Sequence, residues 1–305
     1  MWYKNCMPEL PEVQTTASGL DRVLRGLVIT DVWTDYDSKY FYGSDSIKDP
    51  AYFKGFKKNI IGRKIISVTR RAKNILIHLS AGKTMLIHMK MTGHMLYGNY
   101  DRKDPFNRHI RFIAKLSNGK TLEMCDTRRF AKITMLDTET MHETEHLRGI
   151  GPEPLEDSFT FSAFKERIGK KPRGKIKPVL LDQAIIAGIG NIYSDESLWR
   201  AGIHPEQPVE TIPEKKLREL YAAIHTTLLR GIDLGGDSMS DYRNIDGKRG
   251  KFQEQHMAYK RTGKACQKKG CEGKIIRTVV AGRGTHFCDE HQKLNKAVKN
   301  NPRSN

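Results

Sequence analysis

Four residues near the carboxyl end constrain this chain more than any others: Cys266-x4-Cys271 and Cys288-x2-His291, with 16 residues between the two pairs. Soft ligands paired in this way bring the two ends of a short hairpin to one point, a spacing suited to a tetrahedral structural zinc. All four positions would be filled by protein, so none is left for an activated water and the metal is expected to hold shape only. One structural zinc ion is the only cofactor expected. Cys6 and Cys125 stand alone, and five cysteines do not make the even framework of a secreted disulfide scaffold. Lys274, Arg277, Arg283 and His286 lie between the ligand pairs, so the hairpin would carry basic groups toward phosphate, with a solvated basic rim as the alternative.

Upstream of the hairpin the apolar period changes twice. From Pro11 to Leu27, the positions Val13, Ala17, Leu20, Val23, Leu24 and Leu27 recur at three- and four-residue steps, which predicts an amphipathic helix. The period then falls to two in short runs: Val28 to Trp33, Ile65 to Thr69, Ile75 to Leu79, Met85 to Met89, Ile110 to Leu116, Thr121 to Cys125 and Ile133 to Leu136. Asn118-Gly119 suits a tight hairpin, so this half is expected to be an antiparallel β-sandwich with flanking helices. Gly149, Gly151, Pro152 and Pro154 mark a linker. Beyond it, Val179, Leu180, Ala184, Ile185 and Ala187 form an apolar stripe ending at Gly188, Asn191 opens a second helix through Trp199, and Leu217 to Leu229 makes a third. The expected class is α+β, divided as 1–6 (extension), 7–137 (β-sandwich), 138–156 (linker), 157–250 (helical domain), 251–292 (zinc finger) and 293–305 (basic tail).

Charge narrows the partners. Lys and Arg number 53 against 35 Asp and Glu, a formal net charge of +18, in a chain whose 38% hydrophobic content is that of a globular protein. Solvated Lys and Arg faces are the plain reading of such an excess, and charge alone only somewhat favours a nucleic-acid partner. No apolar run approaches the roughly 18 residues of a membrane span and no signal-peptide core is present, so an intracellular, non-secreted protein without a membrane partner is expected. Ala187-Gly188-Ile189-Gly190-Asn191 adds a weak sign of the same kind: Asn191 would cap a helix whose free N–H groups attract anions, with Asp195 and Glu196 in the first turn favouring the dipole. Ordinary helix-turn packing explains that motif more simply.

The amino end carries the sharpest pattern, Met7-Pro8-Glu9-Leu10-Pro11-Glu12-Val13, a proline and two carboxylates at the mouth of the first helix. Together with RRAK at 70–73, HMKMTG at 88–93, DTRRF at 126–130, GPEPL at 151–155, IKPVLLDQ at 176–183, AGIGNIYSDESL at 187–198 and the terminal metal site, it resembles the formamidopyrimidine-DNA glycosylase family, from Met7 to about His291. The resemblance implies a helix-two-turns-helix domain followed by a β-hairpin zinc finger. It implies a bifunctional glycosylase and abasic-site lyase of base excision repair, acting on double-stranded DNA with oxidised purines or abasic sites, and damage recognition gives no reason to expect more than a monomer. In that family the exposed proline amine, here Pro8, attacks C1′ of the damaged nucleotide and forms a Schiff base. Glu9 matches the acid/base carboxylate, Glu12 a nearby acidic helper, Lys73 the proton donor of β-elimination, and Arg283 the residue of δ-elimination. Met91, Arg128 and Phe130 match the residues that fill the gap left by a flipped base. Phosphate contacts are implied for His109, Lys177 and Asn191, with Lys171 and Arg173 close to another. Tyr242 falls in the loop that closes over an oxidised purine, and that loop favours the purine branch over the related endonuclease VIII. For Met91 and Phe130 the plain reading of each motif alone is core packing.

Two features depart from the family pattern. Met1 to Cys6 precede Met7, and a proline whose nitrogen is in a peptide bond has no nucleophilic lone pair. The expectation is that synthesis starts at Met7 or that the leader is clipped. A retained leader would instead give a catalytically silent lesion-binding protein. The finger has an x4 first spacing and a histidine as last ligand where two Cys-x2-Cys pairs are usual, and zinc accepts three thiolates and an imidazole. A pyrimidine-directed glycosylase of the same fold is the remaining alternative.

Overall fold

The computed structural model describes residues 7–295 apart from 37, 100–102, 106 and 240. Cys6 and the rest of the leader, and the tail from 296, lie outside the described residues. The chain divides into two units, one built from residues up to Glu153 with Leu228–Gln255, the other from Pro154–Thr227 and His256 onward.

The first unit begins with helix α1, Leu10–Leu24, followed by β1 Ile29–Thr34, α2 Pro50–Ile60, β2 Ile65–Arg71, β3 Asn74–Leu79, β4 Lys83–His88, β5 Gly93–Gly98, β6 Ile110–Leu116, β7 Thr121–Asp126 and β8 Lys132–Asp137. The strands form two antiparallel four-stranded sheets, ordered β1-β6-β7-β5 and β2-β3-β4-β8. Val13, Ala17, Leu20 and Leu24 of α1 join Ile75, Ile77, Met85 and Ile87 of one sheet and Phe112, Ala114, Leu122 and Met124 of the other in a single core. Each of the larger of these side chains contributes roughly 1.5–3 kcal/mol on burial.

The expected sandwich is present, with local differences. The first helix ends at Leu24 and not Leu27, because Gly26 takes a φ of 86° that closes the turn. Helix α2 had no clear apolar stripe to announce it, having only Phe56 and Ile60 buried, yet Asp49 accepts from Ala51 N at 2.8 Å and Pro50 opens its first turn. Strand β5 has no period-two signature in the sequence, since the run Gly93–Gly98 is bracketed by glycines and has no clean alternation. The segment 228–255 belongs with the sandwich, not with the helices: Ile245 joins the core, and its carbonyl accepts from Tyr97 N at 2.9 Å.

The second unit contains α3 Phe161–Gly169, α4 Ile176–Leu181, α5 Asn191–Ala201 and α6 Glu214–Asp233, within which the division falls, then β9 Ile275–Val280 and β10 Arg283–Cys288 as a hairpin. The apolar stripe from Val179 to Ala187 is not one helix. It stops at Leu181 because the Gln183 side chain binds the backbone of the next segment, donating to the carbonyls of Leu181 and Ile189 and accepting from Gly188 N at 2.8 Å. That turn separates α4 from α5, the two helices of the helix-two-turns-helix arrangement. Among the described residues no helix is long and apolar enough to cross a membrane.

Candidate functional site

Pro8 is buried immediately before α1, and Glu9 is the N-cap residue of that helix, 2% exposed. Glu9 N–H donates to Glu12 Oε2 at 2.8 Å, the return half of a capping box. The other oxygen of Glu12 accepts from Asp237 N at 2.6 Å, so this carboxylate joins the mouth of α1 to the segment after α6. Gly236 is required there: it has a φ of +84°, and a Cβ would lie 2.9 Å from Glu12 Cγ. Tyr242 was expected in a closing loop, but it is 2% exposed, with its hydroxyl donating to the Glu12 carbonyl at 3.1 Å. It anchors the base of the loop against α1.

Lys73 sits half-buried at the two-residue turn between β2 and β3, next to Ala72 with a φ of 52°. Glu153, from the GPEPL motif, sets that turn by accepting from Arg70, Arg71 and the Ala72 N–H. Burial opposes the charge of Glu153, but Arg70, the Ala72 N–H and Arg71 outweigh it and hold the carboxyl below its ordinary range.

Met91, Arg128 and Phe130 come together. Arg128 Nη1 lies 3.5 Å from Met91 Sδ, and the guanidinium stands 4.5 Å from the centre of the Phe130 ring, which is 45% exposed. Core packing therefore does not account for Phe130. The support beneath is polar: Asp126, fully buried, accepts from Thr92 Oγ1 at 2.6 Å, Tyr36 OH at 2.9 Å and Ala131 N at 2.8 Å. Arg129 between the two projecting residues has a φ of 59°, which throws Arg128 and Phe130 outward. Asp126, Thr92 and Tyr36 were not singled out in the sequence, although Asp126 opens the DTRRF motif. His109 is half-buried between Arg108 and Arg111, at 3.0 and 3.2 Å. Burial first, then those two cations, push its pKa down.

In the second unit, Lys177 is not placed to touch phosphate directly. Its side chain is fully buried, and Nζ donates to Asp195 Oδ1 at 2.6 Å, Thr285 Oγ1 at 2.9 Å and the Gly284 carbonyl at 3.3 Å. Asn191 is the first residue of α5 and not its cap, which is Gly190; Asn191 Nδ2 donates to the same Gly284 carbonyl at 3.0 Å. Nor do Asp195 and Glu196 serve the helix dipole. Asp195 also accepts from His286 N at 2.9 Å, and Glu196 accepts three successive N–H groups, Met257 to Tyr259, at 2.8–2.9 Å. These carboxylates fasten the hairpin region to α5. Lys171, paired with Asp182, and Arg173 are exposed, as is Arg283 just after the hairpin turn formed by Ala281 and Gly282.

Cys266, Cys271, Cys288 and His291 converge, their ligand atoms all within 4.8 Å of one another. Cys266 Sγ is 3.4 Å and Cys271 Sγ 3.7 Å from His291 Nδ1, and Cys271 and Cys288 sulfurs are 3.6 Å apart. A zinc tetrahedron with arms of about 2.3 Å to sulfur and 2.0 Å to nitrogen has edges of roughly 3.5–3.8 Å, so the set fits. His291 Nε2 lies 3.0 Å from the Trp199 carbonyl, which places its proton on Nε2 and turns the Nδ1 lone pair inward. Lys268 N and Glu290 N each donate to a ligand sulfur at 3.4 Å, partly neutralising thiolate charge. The x4 spacing and the terminal histidine are thus accommodated without loss of ligand geometry.

Comparison with known proteins points one way. Residues 7–133 match the sequence profile of the formamidopyrimidine-DNA glycosylase N-terminal domain, and residues 150–243 that of the formamidopyrimidine-DNA glycosylase H2TH domain. Formamidopyrimidine-DNA glycosylases of Heliobacterium modesticaldum and Bacillus subtilis are 37% and 36% identical, each over 94% of this chain and 100% and 99% of their own length. Among solved structures, a complex of the Lactococcus lactis Fpg with abasic-site DNA superposes with a TM-score of 0.82 at 32% identity, over 93% of this chain and 99% of that one. The Thermus thermophilus MutM (Fpg) protein gives 0.79 at 35%, over 95% and 100%.

Proposed function

The chain belongs to the formamidopyrimidine-DNA glycosylase family, and from that premise we propose that it is an intracellular, monomeric DNA glycosylase and abasic-site lyase of base excision repair, acting on oxidised purines in duplex DNA. The observation that carries this reading is the amino-terminal constellation: Pro8 held at the mouth of α1, directly ahead of the Glu9–Glu12 capping pair. Once freed as a terminus, the Pro8 amine has a pKa near 8, well below the roughly 10.4 of a lysine, so a usable fraction is unprotonated at neutral pH. Its lone pair forms a bond to C1′ while the bond from C1′ to the base breaks. Glu9 donates a proton toward the sugar ring oxygen and then accepts protons during elimination. Lys73 serves the β-elimination that breaks the 3′ C–O bond, and Arg283 the δ-elimination that breaks the 5′ one. Met91, Arg128 and Phe130 occupy the vacated stack. Cys266, Cys271, Cys288 and His291 would hold one zinc ion, which when bound supplies a closed tetrahedral centre that braces the β9–β10 hairpin. Lys171 and Arg173 offer exposed positive charge to the backbone; Lys177 and Asn191 support the hairpin carrying Arg283.

Borohydride trapping on a duplex with one 8-oxoguanine, followed by peptide mass mapping, tests the reading. The expected adduct is on a chain beginning at Pro8 and is lost in Glu9→Gln with the intact lesion. An adduct on Lys73, or on a chain still carrying Met1 to Met7, overturns the assignment of the nucleophile. Binding without any adduct identifies a silent lesion binder, and trapping confined to oxidised pyrimidines moves the protein to the endonuclease VIII branch.

A further inference from the structure

Beneath the Thr127–Phe130 turn lies a lysine that no motif singles out. Lys48 is 5% exposed and its Nζ donates at 2.8 Å to the carbonyl of Arg129, the left-handed residue between Arg128 and Phe130. Its ammonium also stands 4.5 Å from the centre of the Phe41 ring and 5.5 Å from that of Tyr36. Tyr36 is itself bonded to Asp126, so one chain of contacts runs from Lys48 through the buried support of the turn. A non-glycine residue at positive φ is strained by about 1 kcal/mol or more and persists only where its neighbours hold it. Lys48 holds the carbonyl of the strained residue and Asp126 the N–H of Ala131 two residues on.

We infer that Lys48 is a positioning residue for Arg128 and Phe130, fixing the pose in which they meet the partner of a flipped base. The inference rests on the proposed gap-filling role of those two residues. A charge-assisted bond to the Arg129 carbonyl is about twice as strong as a neutral one, so the grip depends on Lys48 being charged. Burial first of all, with Lys90, Arg129 and Lys132 adding to it against the opposing pull of Asp126, lowers its pKa to about 8. Besides these, Tyr36 faces it from just past β1, and Asp49 adjoins it in sequence at the cap of α2.

The pH response separates positioning from mere stability. Between pH 8 and 10.5 the unfolded chain retains the lysine proton more readily than the folded one, so this group's contribution to stability rises with pH. Its hold on the turn falls over the same interval. The test measures the ratio of excision rates with cytosine and adenine opposite 8-oxoguanine, and the fluorescence of 2-aminopurine opposite an abasic analogue, from pH 7 to 9.5. The expected result is a ratio that falls at least threefold through pH 8 in the natural protein, a low and flat ratio in Lys48→Met, and a high, flat ratio in Lys48→Arg, whose guanidinium stays charged. Affinity for undamaged duplex should stay within twofold. Arg128→Ala is the control: if it leaves the ratio unchanged, the gap-filling reading fails. If Arg128→Ala abolishes the preference and folded Lys48→Met keeps it with the natural pH profile, the inference is overturned. Should Lys48→Met not fold, a pH-independent ratio in the natural protein overturns it equally.

Discussion

The Thr127–Phe130 turn and the β9–β10 hairpin both present an arginine on a turn with a positive-φ, non-glycine residue, Arg129 in one and Ala281 in the other, and they hold it by opposite means. The first stands on a sandwich with an extensive apolar core, and two buried charged groups, Asp126 and Lys48, shape it. The hairpin rests on a small apolar cluster around Trp199, Ala258 and Ile275, of which Cys266 and Cys288 are themselves members. A small core needs a cross-link; the Lys177–Asp195 pair supplies one, and the cluster of three cysteines and one histidine could hold a metal that supplies another. Where burial is plentiful, polar groups can be devoted to aiming side chains. Where it is scarce, they hold the fold.

The largest test of this contrast is metal removal. Chelation, or Cys271→Ser, should unfold the hairpin, since zinc contributes on the order of 10 kcal/mol to such folds, while the sandwich retains its β circular dichroism; equal loss in both regions would erase the distinction. Next, Lys177→Met strands a buried Asp195 and is expected to cost about 3–5 kcal/mol in thermal or denaturant unfolding of the second unit. A loss of only a few tenths, with weaker binding to all DNA, would return Lys177 to the phosphate-contact role. Asp126→Asn should cost roughly 2–3 kcal/mol and lower lesion preference more than affinity for undamaged DNA. Smallest is Arg129→Gly: relief of about 1 kcal/mol of backbone strain offsets loss of its bond to the Asp35 carbonyl, leaving melting nearly unchanged while looser placement of Arg128 lowers excision. Affinity for undamaged DNA should also fall steeply with salt, reflecting several phosphate contacts, and a flat response would mark the +18 excess as solvated surface.

Much of this architecture was legible in the residues. The alternation in Ile110–Leu116 survives unchanged as β6, and the Cys and His spacing picked out four side chains that converge. Legibility ended where a side chain's role depends on what is opposite it. Lys177 and Lys171 are both lysines in a basic segment, yet one is fully buried on Asp195 and the other exposed on Asp182. Nothing local distinguishes them, because the deciding partners Asp195 and Thr285 lie 18 and 108 residues away. Tyr242 similarly reads as a loop residue until α1 is seen beneath it.

The α+β class, the family and the four residues of the cysteine and histidine cluster can be read along the chain, because period, motif order and ligand spacing are properties of neighbours in sequence. Which charges face solvent and which are fastenings follows from the fold: Glu12, Glu153 and Asp195 tie distant backbone segments, and Lys48 lies beneath the Thr127–Phe130 turn. The physical reason is desolvation. Burying a charge is costly unless a partner meets it, and that partner is brought by the fold from elsewhere in the chain.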